Sequence, residues 1–298
     1  MNLVIGLGKV FWEYYYPNIN QNNYNFYDEN SIDLPDSLSY TNNFNEILDN
    51  KYKCIYILTP PNTRSNIIDA LHSNTNSFYI EKPVFSSLEE YKNSKSIVNG
   101  TYLLGGHSRR FFNNYIHLRN KLIEVNDTSR IINISVTEGS IYKWNPKKLE
   151  LITNDELSHL IDSLLYILDY SDKDTDYEVK KVVGDNISSL YIECILNGIN
   201  IDINFSRNTN LLNQIRIDFD NNTSYLLNTK LNGTMQSLSN NRLSEISSEH
   251  QKQSSVSVFN EIINHVEDDS FMKDNDYKLS KFENTLTLID SIKGNIKQ

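Results

Sequence analysis

Short apolar runs alternate with amphipathic stretches through the first third of the chain. Leu3-Val4-Ile5, Tyr24-Asn25-Phe26-Tyr27, Cys54-Ile55-Tyr56-Ile57-Leu58, Phe78-Tyr79-Ile80 and Tyr102-Leu103-Leu104 read as strands. Ile67 to His72 and Leu88 to Val98 between them have the spacing of helices. Strands alternating with helices in this way predict a doubly wound parallel sheet of the Rossmann kind. After Gly105-Gly106 the pattern changes. Ile132, Ile134 and Val136 alternate with polar residues, as do Leu190, Ile192, Cys194 and Leu196. An Asn197-Gly198 turn then leads into Ile199, Ile201, Ile203 and Phe205, and Ile215, Ile217 and Phe219 repeat the pattern. Period two with an Asn-Gly turn predicts antiparallel hairpins with one covered face, hence an open antiparallel sheet accompanied by helices. The polar stretch Ser237 to Ser257 reads as a long loop. Val258, Ile262, Ile263 and Val266, then Phe282, Leu286 and Ile289, predict closing helices.

A chain of 298 residues suits two cores rather than one. The pattern divides it into a parallel α/β domain, residues 1–106, and an antiparallel α+β domain, residues 107–298. The net charge of -10 argues against nucleic acid as a partner, since phosphate neutralisation needs clustered Lys and Arg. No apolar run approaches bilayer length, and Met1 to Ile5 leads straight into a strand without the features of a signal peptide. Cys54 and Cys194 both sit in apolar runs and read as buried thiols, so a cytoplasmic location is expected.

Phe78-Tyr79-Ile80 ends abruptly in Glu81-Lys82-Pro83, which delivers a lysine to the sheet's carboxyl edge, where ligands sit in open α/β folds. Gly6-Leu7-Gly8-Lys9-Val10-Phe11 starts like a dinucleotide fingerprint but has phenylalanine where a third glycine or alanine belongs. Gly6, Gly8, Lys9 and Val10 are the candidate cofactor contacts there. The missing third small residue would make the following helix splay or start later. Asp28 closes the second strand at the right distance to bind a ribose, or else simply begins a turn. With no arginine after it, the ribose role favours NAD over NADP, without excluding NADP. Further on, Asp155 and His159 lie one helical turn apart.

Taken in order, these segments resemble the Gfo/Idh/MocA oxidoreductases. Thr59-Pro60-Pro61-Asn62 is similar to that family's strand-end loop beside the cofactor. Glu81-Lys82-Pro83 resembles its Glu-Lys-Pro signature, and Gly106-His107-Ser108-Arg109-Arg110-Phe111 its Arg-Arg-Phe passage into the second domain. Asp155 to Asp162 looks like its Asp-x-x-x-His-x-x-Asp helix. The resemblance implies cofactor contacts from Thr59, Pro60, Asn62, Glu81 and Lys82, and a homodimer or homotetramer built through the second sheet. Two departures stand out. Arg64 occupies a position where the family often has histidine, and Lys148 to Asn154 replaces a glycine-rich run before the helix.

The residues suit alcohol oxidation. A histidine titrates near neutrality and can take a hydroxyl proton. His159 is thus the expected base, with Asp155 orienting its ring and Lys82 stabilising charge on the same oxygen. Asp162 is a candidate for a substrate hydroxyl or the rim of a polar pocket. Arg110, or failing that Arg109, suits a phosphate or carboxylate, or an interdomain ion pair. Tyr142 and Trp144 suit stacking on a sugar ring, or ordinary packing. His107, His117 and His265 lack ligand spacing, so no metal site is expected. The expected substrate is a sugar, sugar nucleotide or cyclitol. A non-catalytic sensor of the same fold, or a hydrolase or lyase that uses NAD transiently, stands as the alternative.

Overall fold

In the first unit, strands β1 (Asn2–Ile5), β2 (Tyr24–Tyr27), β3 (Tyr40–Thr41), β4 (Ile55–Ile57), β5 (Ser77–Glu81) and β6 (Tyr102–Gly106) form one parallel sheet. Its order is β3-β2-β1-β4-β5-β6, the doubly wound arrangement, with the order reversing between β1 and β4. The computed structural model describes residues 1–31, 35, 38–97, 101–125, 128–139, 141, 151–170, 175–246, 252–268 and 279–296. Leu3, Ile5, Ile55, Ile57, Phe78 and Ile80 bury one face of the sheet among residues of α1 (Phe44–Leu48), α2 (Pro61–Leu71) and α3 (Leu88–Ile97). β1, β4 and β5 are buried on both faces and read as continuous apolar runs, whereas the short β3, half-buried, gave no signal in the sequence.

The other face is aromatic. Tyr24, Phe26, Tyr56 and Tyr79 line it, and Phe11, Tyr15 and Phe259 join them through ring contacts. Phe259 lies on α6 (Ser255–Glu267) and also stacks on Tyr14 at 4.8 Å. Phe282 presses on Gly105, where an added Cβ would meet its ring at 2.4 Å. Ser254–Leu286 therefore belongs to the first unit together with Met1–Ser108, and the second unit is Arg109–Gln253 with Thr287–Gln298. The continuous 107–298 domain expected from the pattern is thus interrupted. Hydrophobic spacing located these closing segments correctly but carries no information about which core they cover.

The second unit is built on an eight-stranded sheet of order β14-β13-β12-β11-β7-β10-β9-β8. Its strands are β7 (Ile131–Gly139), β8 (Tyr177–Gly184), β9 (Ser189–Leu196), β10 (Ile199–Ser206), β11 (Gln214–Phe219), β12 (Thr223–Asn228), β13 (Met235–Ser239) and β14 (Arg242–Ile246). All pairings are antiparallel except β7 with β10. Ile134, Val136, Ile192, Ile201, Ile203, Ile215 and Ile217 face a core shared with α4 (Asn113–Val125), α5 (Glu156–Ile167) and the later part of α7 (Glu283–Asn295). The opposite face carries Asn133, Ser135, Asn200, Asp202, Arg216 and Asp218, so the apolar half of the alternation goes into this core. The loop expected over Ser237 to Ser257 is also corrected. Asn240 and Asn241 both adopt positive φ, 50° and 59°, and turn β13 back into β14. Asparagine tolerates that conformation, which makes Asn-Asn a weaker hairpin signal than Asn-Gly.

Candidate active site

The carboxyl ends of β1, β2 and β4 border a cleft of about 490 Å³ at the point where strand order reverses. Gly6, Gly8, Asp28, Thr59 and Pro60 line it, as do Tyr27, Phe44, Thr63, Asn66 and Ile67. Gly6 has φ +95°, and an added Cβ would lie 2.9 Å from the Thr59 methyl. Only glycine satisfies both constraints. Nothing lies within 4 Å of a Cβ added at Gly8, which leaves its backbone facing open space. Asp28 accepts a hydrogen bond from the Leu7 N–H at 2.8 Å and two from Asn30 at 3.0 Å. The carboxylate is therefore fixed against the glycine loop. Two backbone glycines, a pinned acid and an apolar flank suit a dinucleotide's pyrophosphate, ribose and adenine.

Phe11, expected to splay or delay the helix after the glycine loop, is fully buried and begins a π-helical turn, Phe11–Tyr15. Its ring packs edge-on against Phe26 and Trp12. The wider turn gives the large side chain room where a small residue would let an ordinary helix approach the strand. Lys9 is exposed and pairs with Glu13 at 3.6 Å, Val10 is helical and half-buried, and Asn62 is exposed on the first turn of α2. Unlike Gly6 and Gly8, these three are not among the residues lining the cleft.

Lys82 follows β5 directly and is half-buried. Glu81, expected to touch cofactor, has its carboxyl buried among tyrosines, where it accepts a short hydrogen bond from the Tyr15 hydroxyl. That hydroxyl lies 2.9 Å from the Tyr79 hydroxyl. Strand alternation explains this placement, because Glu81 shares its face with Tyr79 rather than with Ile80. Burial pushes the Glu81 carboxyl up, while the Tyr15 hydroxyl and the charges of Lys82 and Arg64 pull it down. Cys54 is no nucleophile, since burial pushes its thiol up to about 12.

In the second unit, α5 begins at Glu156 and Asp155 occupies its N-cap, with the half-buried His159 at the end of the first turn. The start of this helix is anchored where the family-like glycine run is missing. The Thr153 N–H donates to Asn186 Oδ1 at 3.0 Å, and Arg207 holds Glu156 through bonds of 2.8 and 2.5 Å. Arg110, a candidate for a phosphate or carboxylate or for an ion pair, and Asp162, a candidate for a substrate hydroxyl or a pocket rim, form a two-pronged ion pair at 2.9 and 2.5 Å with both side chains fully buried. A fully desolvated guanidinium needs such a partner, and α5 supplies it from its core-facing side. Arg109 pairs with Glu138 at 2.7 and 3.0 Å; burial works against its charge, but the carboxylate more than offsets this and raises its pKa. Tyr142 and Trp144 lie outside the described residues. Among the described residues no cluster of His, Cys, Asp and Glu is arranged to hold a metal ion. No helix among them is long and apolar enough to cross a membrane.

Sequence reasoning missed Tyr27, Phe44 and Asn66 on the cleft wall, and Tyr15 beside Glu81. Phe44 follows Asn43, which caps α1 by accepting from the Asn45 N–H, so a capping signal was present. Tyr15 had no such signal, because its role depends on the π-helical turn.

No protein-family model matches the sequence, and no curated protein sequence matches it. Solved structures match along its whole length, and the fold is that of Gfo/Idh/MocA-type oxidoreductases. A dehydrogenase from Clostridium difficile superposes with a TM-score of 0.76 at 16% identity, covering 99% of each chain. An aldose-aldose oxidoreductase from Caulobacter crescentus, complexed with glycerol, gives 0.75 at 12% identity over 99% of this chain and 97% of its own. A 3-ketoreductase from Actinomadura kijaniata, in complex with NADP and TDP-benzene, gives 0.74 at 11% identity over 99% and 97%. Identity this low establishes shared architecture.

Proposed function

We propose that this chain is a Gfo/Idh/MocA-type oxidoreductase that moves hydride between a nicotinamide dinucleotide and a secondary alcohol or ketone of a sugar, sugar nucleotide or cyclitol. The observation that carries the reading is the cleft at the β1–β4 reversal, where the glycine loop and a pinned Asp28 meet. Gly6 and Gly8 would let the pyrophosphate approach the backbone, and Asp28 would accept from a ribose hydroxyl. Asp28 and Glu29 place negative charge at that end of the cleft, which opposes a 2′-phosphate and favours NAD.

The bound nicotinamide supplies a hydride acceptor or donor. The protein's own part is proton management. His159 would take the hydroxyl proton, Asp155 would orient the imidazole, and the Lys82 ammonium would stabilise negative charge on the same oxygen. In the reverse direction, His159 or Lys82 would return the proton to a carbonyl. Oligomer formation through the outer face of the second sheet belongs to the same reading; that face is polar, so such an interface would rely on hydrogen bonds.

Titration with NADH and NADPH, followed by turnover on a panel of sugars, sugar nucleotides and cyclitols, tests the proposal. Tighter binding of NADH and net NADH formation from NAD support it. Product formed without net NADH would point to transient use of the cofactor, and binding without turnover to a sensor. Failure to bind either nucleotide would sink the reading.

A further inference from the structure

Arg64 is the least explained charge in the first unit. It lies on the first turn of α2 and is only 2% exposed. A cation there works against the positive end of the helix dipole and forfeits its own hydration. Its surroundings explain why it is tolerated. Nε and Nη2 donate to the Thr59 carbonyl at 2.9 and 2.7 Å. Nη1 donates short bonds to the carbonyls of Glu81 and Pro83 and a longer one, 3.4 Å, to Val84. Nη2 lies 3.5 Å from the Lys82 carbonyl. One planar fork thus ties the loop after β4 to the turn after β5. Thr63 braces the same loop, with its hydroxyl donating to Thr59 Oγ1 at 2.8 Å.

We infer that Arg64 is a positioning residue that fixes the Glu81-Lys82-Pro83 turn, and with it Lys82, against the cleft wall at Thr59. The inference rests on the proposed role of Lys82 for its functional meaning, while the clamp itself stands on geometry. Carbonyl oxygens at successive positions of a turn share no common donor unless one is inserted from another element. The five N–H groups of arginine match this demand, whereas lysine offers a point charge and fewer simultaneous bonds.

Hydrogen exchange on the full chain tests the inference without any substrate. In Arg64→Met, the amides of Lys82, Val84 and Phe85 should exchange about tenfold faster than in the wild type, while those of β1 and β7 hold their rates. Arg64→Lys should show a smaller acceleration confined to the same turn. A side chain that merely stabilises the unit would speed exchange throughout it, in step with lost global stability. Unchanged exchange in the turn, or acceleration spread evenly over the unit, overturns the inference. If the methionine variant fails to fold, Arg64→Lys decides on the same terms. A wild-type chain that binds no NADH would sink the oxidoreductase reading and leave the exchange comparison intact.

Discussion

The cleft edge of the first unit and the core of the second use their charged side chains in opposite ways. In the first, Asp28 and Lys82 stand half-buried at the carboxyl edge of the sheet, and Asp28 borders open space. In the second, Arg110 with Asp162 and Arg207 with Glu156 neutralise each other inside the unit. All of these residues drew attention in the sequence or sit beside residues that did. The lesson is that an Arg-Arg-Phe or Asp-x-x-x-His-x-x-Asp pattern can include groups already spent on the scaffold, as Arg110 and Asp162 are. Charge alone does not reveal this; a fully buried partner does.

Mutations should divide along the same line. The largest effect expected is Lys82→Ala, which should cut turnover on the substrate found by the panel by about 10³-fold while leaving the melting temperature nearly unchanged. Survival of turnover within a few-fold would remove Lys82 from the site. Asp162→Ala should do the reverse. By stranding the buried Arg110 charge it should cost about 3–5 kcal/mol in urea unfolding, and Arg110→Met on the same background should restore part of that loss. A stable Asp162→Ala protein with weakened substrate binding would return Asp162 to the ligand.

Asp28→Asn is expected to weaken NADH binding about tenfold and to narrow the gap between NADH and NADPH, as read by fluorescence titration. The smallest effect expected is Tyr15→Phe, about 1 kcal/mol, from loss of one hydrogen bond to Glu81. Its signature lies in pH. Glu81 titrates above its ordinary 4.5 in the folded chain, so its contribution to stability is complete below that value and is lost as pH rises through the folded pKa. Tyr15→Phe removes a bond that favours the carboxylate, which should shift this loss to higher pH. Identical pH profiles of unfolding would show that the tyrosine does not hold the carboxylate.

β1, β4, β5 and β6 were readable because both of their faces are buried, and β2, β7, β9, β10 and β11 because theirs alternate, whereas the two-residue β3 offered no such run. The hairpin at Asn240-Asn241 was not readable either, since its turn residues are weak signals and the apolar pairs Met235–Ile246 and Leu238–Leu243 are separated by polar ones. The glycine loop and Asp28 were legible from spacing and do share one cleft. Glu81, Arg110 and Asp162 were legible as important positions, but their chemistry was not. Whether a carboxylate faces a ligand or a buried hydroxyl depends on which side of a strand or helix it leaves, and on what packs there. Arg64 was visible only as an oddity, because its partners are backbone carbonyls that no side-chain pattern reveals.

The return of Ser254–Leu286 to the first unit also has a consequence for biosynthesis. A nascent chain that has just emerged past Ser108 possesses all six parallel strands but lacks α6 and Phe282, so its tyrosine-lined face and Gly105 remain uncovered. That half-finished sheet must wait while Arg109–Gln253 is translated, at a pace of about 5–20 residues per second. Throughout that interval its wet aromatic surface is what a chaperone would encounter.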